Sequence, residues 1–149
     1  MRIDTADFDV GAEIARLTGG RTDVGAVVAF TGLMRADNDG RAIAGMTLEH
    51  YPGMTERELA RVEAEAHRRW PLAASLIVHR VGTLKPGDNI VLVVTASKHR
   101  QAAFQAAEFL MDYLKTNAPF WKREESQKGT SWIEARDHDD VAAARWTKS

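Results

Sequence analysis

Residues 111–123 read MDYLKTNAPFWKR, and this stretch separates a helical pattern from a non-helical one. Pro119 ends the helical pattern because proline lacks a backbone N–H and disfavours α geometry in the residue before it. Lys115 and Lys122 therefore lie on the two sides of a bend, with two aromatic residues between them, and such a bend can hold a flat, anionic ligand. In the alternative interpretation the aromatic residues belong to the core, and Lys115 is a helix-end cation favoured by the helix dipole.

Helical and strand patterns alternate on both sides of this bend. Apolar residues at helical spacing predict helices over 8–17, with Asp9 as N-cap, and over 55–70, where Thr55 and Glu58 have the spacing of a capping box. A third helix is predicted from the N-cap Ser97 to about Leu114. Strands are predicted over 24–33, 43–51, 75–81, 89–96 and 131–134, and the first of them is expected to be buried. A mobile loop is predicted at 37–41 and a charged connection after Pro119. A last helix is predicted over 139–146. Interleaved elements with tight turns predict a single α+β domain over residues 1–149, with antiparallel strand pairing where loops are short.

Composition restricts the classes of protein to which the chain can belong. Hydrophobic residues make up 44% of the 149 residues and charged residues 28%, as in an ordinary globular protein. The net charge is −1, so a basic site must be a local concentration of charge. No apolar run approaches the roughly 20 residues that span a bilayer, and the first residues have no apolar signal core. We therefore expect a cytoplasmic protein with no membrane partner.

The absence of cysteine excludes several chemistries. There is no disulfide, no thiolate nucleophile, no persulfide carrier and no cysteine metal site on this chain. The five histidines include no pair at the i, i+4 spacing of a helical zinc motif. We therefore expect neither a metal ion nor another cofactor.

Basic residues are concentrated where the third helix begins. Lys98, His99 and Arg100 would occupy its first three positions, where the dipole disfavours cations and the free N–H groups attract anions such as phosphate. In the alternative interpretation these side chains extend into water, where the penalty is screened. Arg35 and Arg136 are further candidates for anion binding. Neither a Walker pattern, a G-x-G-x-x-G motif nor a nucleophile elbow is present.

Four groups of residues carry a family resemblance that covers roughly residues 23–146. They are Phe30-Thr-Gly32 with Arg35, Leu48-Glu-His-Tyr-Pro-Gly-Met54, Ser97 with His99-Arg100, and Met111-Asp-Tyr-Leu-Lys115 with Ala118-Pro-Phe-Trp-Lys-Arg-Glu124. In this order they resemble the large (catalytic) subunit of molybdopterin synthase.

The resemblance implies an α/β hammerhead fold and a homodimer that carries a small ubiquitin-like subunit at each end, which makes a heterotetramer. It also implies a sulfurtransferase. Sulfur passes from the C-terminal Gly-Gly thiocarboxylate of the small subunit to cyclic pyranopterin monophosphate, which becomes the dithiolene of molybdopterin. The lack of cysteine agrees with this, because such a chain transfers sulfur only if the sulfur arrives on a partner. The chain must then supply orientation and electrostatics rather than a thiol.

The resemblance also implies which residues form the site. Lys115 and Lys122 match the essential lysines of the family. The substrate-binding set implied by the match also includes Arg35, His99, Arg100, Arg123, Glu124 and Arg136. Leu33 and Met34 stand where the family commonly has a Lys-Val pair, so we expect a backbone contact there.

The helix spacing predicts a site built from two chains. Lys115 follows Arg100 by 15 residues, which is roughly 22 Å along a straight helix. A pterin monophosphate is too short to touch both residues in one chain. A two-fold dimer would place the Arg100 end of one protomer near the Lys115 end of the other.

Two other classes of function are open on the sequence alone. One is a module that binds single-stranded nucleic acid with Phe120 and Trp121 as a stacking platform, although the near-zero charge and scattered basic residues disfavour it. The other is a non-catalytic scaffold that only binds a ubiquitin-like protein.

Overall fold

A computed structural model describes residues 1–38, 40–126, 129–132 and 144–146 of the chain. Within these residues it contains three helices and nine strands. The helices are α1 (Val10–Thr18), α2 (Met54–Arg69) and α3 (Arg100–Thr116). The strands are β1 (Arg2–Asp4), β2 (Ala26–Leu33), β3 (Asp37–Asn38), β4 (Arg41–His50), β5 (Leu72–Arg80), β6 (Gly82–Leu84), β7 (Asn89–Ser97), β8 (Phe120–Ser126) and β9 (Gly129–Trp132).

The first sheet has the strand order β1-β5-β7-β2. Strand β7 pairs antiparallel with both β5 and β2, and β1 adds to β5 in parallel. Successive side chains of β7 point to opposite faces of this sheet, so the apolar residues of β7 can pack against helices on both faces. Val91 and Val93 pack against α2 and α3, whereas Leu92 and Val94 belong to a cluster with residues of α1. The apolar run 90–94 is therefore the strand around which the main core forms.

The second sheet has the strand order β3-β4-β8-β9, and β6 pairs with the same edge of β4 as β3. Its β4–β8 pairing is antiparallel and sets Leu48 opposite Lys122 and His50 opposite Phe120. The inward side of β4 contributes Met46 and Leu48 to a small apolar cluster with Leu84. The α+β prediction is confirmed, and among the described strands every pairing except that of β1 with β5 is antiparallel.

Local signals predicted several elements correctly. Asp9 is the N-cap of α1 and accepts a hydrogen bond from the Ala12 N–H at 2.9 Å. Leu59, Val62 and Ala66 form the buried stripe of α2. The strands predicted over 43–51, 75–81 and 89–96 are present as β4, β5 and β7, with bounds shifted by a few residues.

Other expectations were wrong about caps or burial. The N-cap of α2 is Gly53, and Glu56 accepts the hydrogen bond from the Gly53 N–H, so the Thr55–Glu58 capping box does not form. The strand predicted over 24–33 is an edge strand with exposed apolar side chains rather than a buried one. On the third helix, the spacing of apolar residues predicts Phe104 on the same side as Leu110, yet Phe104 is 59% exposed.

The charged connection predicted after Pro119 is strand β8, which pairs with β4. The stretch predicted as a mobile loop contains β3, which forms a hairpin with β4, and Asp39 lies outside the described residues. The short strand predicted over 131–134 is present as β9, although 133 and 134 lie outside the described residues. The helix predicted over 139–146 lies outside them as well, except for 144–146. No helix in the described part of the chain is long and apolar enough to cross a membrane.

Candidate active site

The bend between α3 and β8 is present as predicted. Helix α3 ends at Thr116, and Lys115 lies exposed in its last turn. Pro119 follows, and β8 begins at Phe120, whose N–H donates to the Ala118 carbonyl at 2.8 Å. Phe120 packs against the main apolar core, as the alternative interpretation expected, whereas the side chain of Trp121 is exposed.

The register of β8 on β4 separates the residues that follow the bend. Phe120, Lys122 and Glu124 alternate onto one face of the strand, and Arg123 points to the other. The Lys122 ammonium lies 3.7 Å from a carboxylate oxygen of Glu124, whose side chain is only 4% exposed, whereas that of Lys122 is 38% exposed. The buried acid therefore restrains the lysine while its ammonium still reaches solvent. The sequence run 122–124 is not one contact surface.

His79 of β5 forms part of the same cluster. Its imidazole stacks on the Phe120 ring with a centroid separation of 3.8 Å and an interplanar angle of 16°. The Nδ1–H donates to the Arg80 carbonyl at 2.8 Å. The pKa of His79 is lowered from 6.5 to about 4, chiefly because burial disfavours the charged imidazolium. The hydrogen bond to the Arg80 carbonyl opposes this shift, and the nearby Lys115 ammonium adds a smaller contribution to it. His79 is therefore neutral at pH 7 and adds no positive charge beside Lys115.

Thr55 connects α2 to the bend. Its hydroxyl accepts a hydrogen bond from the Tyr51 N–H at 2.8 Å and donates one to the Pro119 carbonyl at 2.9 Å. The side chain is completely buried. The residue predicted to cap α2 instead links the start of that helix to the stretch between the two lysines.

The end of β2 carries three of the predicted binding residues. Leu33 is 53% exposed and Arg35 is exposed, whereas Met34 is buried in the cluster with Met46. The Met34 N–H donates to the Asp88 carbonyl at 2.9 Å, and its own carbonyl accepts from the Gly87 N–H at 2.8 Å. Both backbone groups of Met34 are therefore occupied, and its side chain faces the core.

His99 and Arg100 lie at the opposite end of α3. His99 is the N-cap, without a side-chain capping bond, and Arg100 is the first helical residue. Ser97, predicted as the cap, ends β7, and its hydroxyl donates to the Pro71 carbonyl at 2.9 Å. Only Arg100 of the three basic residues is therefore inside the helix. The structure leaves roughly 22 Å of helix between Arg100 and Lys115 and does not bring the two together in one chain.

A separate cleft of about 350 Å³ lies between α2 and α3 and includes Arg61, Arg69, Tyr113 and Trp146 in its lining. Arg61 pairs with Glu58, and Arg69 pairs with a carboxylate of its own helix at 2.9 Å. Because these charges are already compensated, the cleft has no free anion-binding group among its described arginines.

Comparison with known proteins identifies the family. The family model described as "MoaE protein" matches residues 3–117. The chain belongs to the MoaE family. The molybdopterin synthase catalytic subunit of Mesorhizobium japonicum is 58% identical over 151 aligned positions, which cover 100% of this chain and 94% of the relative. The subunit of the same name from Pseudomonas aeruginosa is 53% identical, with coverages of 98% and 97%.

Solved MoaE-family structures have the same fold. The molybdopterin biosynthesis MoaE protein from Burkholderia ambifaria superposes with a TM-score of 0.84 at 51% identity and covers 99% of this chain and 97% of that one. A molybdopterin synthase structure from Staphylococcus aureus gives a TM-score of 0.81 at 31% identity, with coverages of 88% and 94%. The resemblance inferred from the motifs is thereby confirmed, and the family is one of enzyme subunits.

Two residues of this candidate site were not connected with it by the sequence. His79 lies in an ordinary strand pattern, and Thr55 stood at a capping-box spacing, so neither was connected with the bend. Their contacts reach across 41 and 64 residues respectively, since His79 stacks on Phe120 and Thr55 bonds to Pro119. Arg136 lies outside the described residues. Within the described ranges no group of three or more His, Asp or Glu side chains could hold a metal ion.

Proposed function

We propose that this chain is the catalytic subunit of molybdopterin synthase. It transfers sulfur from the C-terminal thiocarboxylate of a small ubiquitin-like subunit to cyclic pyranopterin monophosphate, and the product carries the dithiolene of molybdopterin. The observation that carries this proposal is a pair of lysines held on the two sides of the Pro119 bend, in a MoaE-family chain without cysteine. The thiocarboxylate is itself the sulfur nucleophile, so this chain supplies position and charge.

The two lysines have different surroundings, which supports different roles. Lys122 is restrained by the buried Glu124, and we assign it to the terminal carbonyl of the partner's tail. Lys115 is exposed at the end of α3 beside the neutral His79, and we assign it to the reacting pyran carbons as proton donor or charge stabiliser. Ammonium groups at these positions stabilise the oxyanions that develop during transfer.

The remaining predicted residues bind the precursor in this proposal. The phosphate and the pterin are assigned to Arg35, His99, Arg100 and Arg136. Arg123 points to the opposite face of β8 from Lys122, so we assign it to a separate contact with the precursor. Within residues 33–35, both backbone groups of Met34 are already hydrogen-bonded, and Arg35 has been assigned above. We therefore assign the remaining precursor contact of this segment to Leu33, which is exposed at the end of β2.

The partner's tail is narrow and extended because it ends in Gly-Gly. We propose that it enters a groove lined by flat side chains, with Phe30 and Phe120 as candidates. Phe30 is 41% exposed on the edge strand β2. Phe120 lies on β8, on the same face of that strand as Lys122. A partner truncated by two residues should bind more weakly in calorimetry, while unchanged affinity would contradict entry of the tail into this groove.

The homodimer within a heterotetramer is part of the proposal. Exposed apolar side chains on an edge strand and its neighbouring helix are typical of a protein interface. Strand β2 and helix α3 carry four of them, at Val27, Phe30, Leu33 and Phe104. A two-fold axis at such an interface would combine the Arg100 end of one protomer with the Lys115 end of its partner.

Direct turnover tests the proposed activity. The chain is mixed with thiocarboxylated partner and precursor, and the dithiolene product is measured by mass. Lys115→Ala and Lys122→Ala should each lower the rate by more than about tenfold, which corresponds to about 1.4 kcal/mol of transition-state stabilisation. Arg68→Ala removes an exposed cation from the last turn of α2, as Lys115→Ala does from α3, and should retain the wild-type rate. Rates within tenfold of wild type for both lysine variants would show that neither carries the chemistry.

Complementation tests the shared site. Arg100→Ala chains and Lys115→Ala chains, each inactive alone, are mixed under conditions that allow subunits to exchange. Random assortment makes about half the dimers mixed, and each mixed dimer has one intact site, so about a quarter of wild-type activity should return. If the site lies within one chain, every site keeps one lesion and no activity returns.

The same assays separate the two other classes of function. A scaffold for a ubiquitin-like protein would bind the partner without turnover, and a nucleic-acid module would show steeply salt-dependent affinity for single-stranded RNA or DNA. The relatives named as catalytic subunits support the enzyme.

We further propose that residues 1–149 act as one domain. We also propose that the protein works in the cytoplasm, and cell fractionation would test this location.

A further inference from the structure

The Pro119 bend is held by a hydroxyl from a distant part of the chain. Thr55 is completely buried in the first turn of α2, and its hydroxyl donates to the Pro119 carbonyl at 2.9 Å across 64 residues of sequence. The same oxygen accepts the Tyr51 N–H at 2.8 Å. The hydroxyl hydrogen is directed to Pro119 because a carbonyl oxygen can only accept.

The contact falls between the two lysines. The Pro119 carbonyl lies four residues after Lys115 and three before Lys122, where the chain is neither helix nor strand. Its backbone hydrogen bonds are local, from the Asn117 N–H to the Tyr113 carbonyl at 2.9 Å and from the Phe120 N–H to the Ala118 carbonyl at 2.8 Å. Contacts from other elements are therefore needed to fix its position relative to the rest of the fold. Thr55 provides one of these contacts from α2.

A second contact holds the next residue from β5. The buried imidazole of His79 lies parallel to the Phe120 ring at 3.8 Å. The orientation of the imidazole is itself constrained, because its Nδ1–H donates to the Arg80 carbonyl at 2.8 Å within the first sheet. The bend is thus held at two consecutive residues, by a hydroxyl at Pro119 and by an aromatic face at Phe120.

We infer that Thr55 and His79 are positioning residues that fix the bend and thereby set the placement of Lys115 relative to Lys122. This inference rests on the proposed function. Both ammonium groups are on flexible stems, so the backbone between them determines the positions from which the two side chains extend. A shift of about 1 Å in a catalytic group can lower a rate by roughly a hundredfold.

Thr55→Val tests the hydroxyl because valine has the shape of threonine without its hydrogen bonds. Thr55→Ser keeps the hydroxyl and loses the methyl group. Thr95→Val is the matched control, since Thr95 is also completely buried and donates to a backbone carbonyl, that of Ala103 at 2.6 Å, about twelve residues before Lys115. Turnover of precursor by each chain with its thiocarboxylated partner gives kcat and KM, and thermal unfolding gives Tm.

We expect Thr55→Val to lower kcat between about tenfold and a hundredfold with KM for the precursor within about threefold, because the lysines are displaced while the precursor's other contacts remain. Thr55→Ser should recover most of the rate. Thr95→Val should lower Tm by a few degrees, as Thr55→Val does, but should keep kcat within about twofold of wild type. Equal kcat for Thr55→Val and Thr95→Val would overturn the inference, and so would Thr55→Ser being as slow as Thr55→Val.

His79 is tested by the shape of its replacement. His79→Phe retains a flat ring against Phe120, whereas His79→Leu does not. The leucine variant should have at least about a fivefold lower kcat than the phenylalanine variant. Equal rates for the two variants would exclude a role for stacking. Wild-type chain without any turnover would instead refute the proposed function, so the two failures are distinguishable.

Discussion

The buried His79 should make the stability of the protein fall between pH 7 and pH 5. Its pKa is lowered from 6.5 to about 4 in the folded state, chiefly because burial disfavours the charged imidazolium. Between these two values the unfolded chain binds a proton that the folded protein excludes. A depressed folded pKa therefore gives a contribution that is present at neutral pH and is lost as the pH falls.

The size of the effect follows from the two pKa values. The linkage relation gives a loss of about 2 kcal/mol between pH 7 and pH 5 for one imidazole whose pKa is 6.5 in the unfolded chain and about 4 in the folded protein. The carboxylates with lowered pKa contribute mainly at lower pH. The pKa of the buried Glu13, for example, is held below its usual 4.5 by the hydrogen bond from Arg2, so its stabilisation is lost mostly below that value. The interval from pH 7 to pH 5 is therefore mainly a measure of His79.

Urea unfolding of wild type and His79→Phe at one protein concentration measures this contribution. The free energy of unfolding of wild type should fall by about 2 kcal/mol more than that of the variant over this interval. Phenylalanine is chosen because it preserves the ring on Phe120, and His67→Gln controls for the loss of an exposed histidine. A pH dependence that is the same in wild type and His79→Phe would refute the assignment of a neutral, buried imidazole.

Further substitutions at four positions test the fold, each by urea unfolding at pH 7. Asp9→Ala should cost about 0.5–2 kcal/mol because the N-cap bond of α1 is lost, whereas Asp9→Asn should cost much less. Gly25→Ala should cost about 1–3 kcal/mol, since an added Cβ would lie 2.3 Å from the Lys98 carbonyl oxygen, while Gly11→Ala in α1 meets no close contact and should stabilise by up to about 1 kcal/mol. Leu110→Ala should cost about 2–5 kcal/mol because the side chain is completely buried in the main core.

Most residues of the candidate site were proposed from the sequence because they lie in long, specific motifs. The motifs around Arg35, Arg100, Lys115 and Lys122 are sufficient to identify the family, and the family model confirms it. The motifs do not predict how these residues are arranged. Residues 122–124 are adjacent in the sequence, yet pairing of β8 with β4 places Lys122 and Arg123 on opposite faces.

The sequence by itself determined the features that depend on a few neighbouring residues. Pro119 ends α3 whatever surrounds it, because its ring removes a donor and constrains the backbone. Asp9 caps α1 through a bond within one helical turn, and the apolar run 90–94 makes β7 a buried strand. In each case the stabilising contact or the pattern lies within the element itself.

Only the tertiary structure decided the contacts between distant segments. Thr55 has the spacing of a helix cap, but folding brings it to Pro119, where its hydroxyl bonds to the bend instead. His79 is neutral and stacked on Phe120 because β5 and β8 meet in the folded core. The spacing of cap and turn residues predicts only hydrogen bonds between groups a few residues apart in the sequence. Strand register and side-chain burial depend on segments tens of residues apart, and no local pattern contains that information.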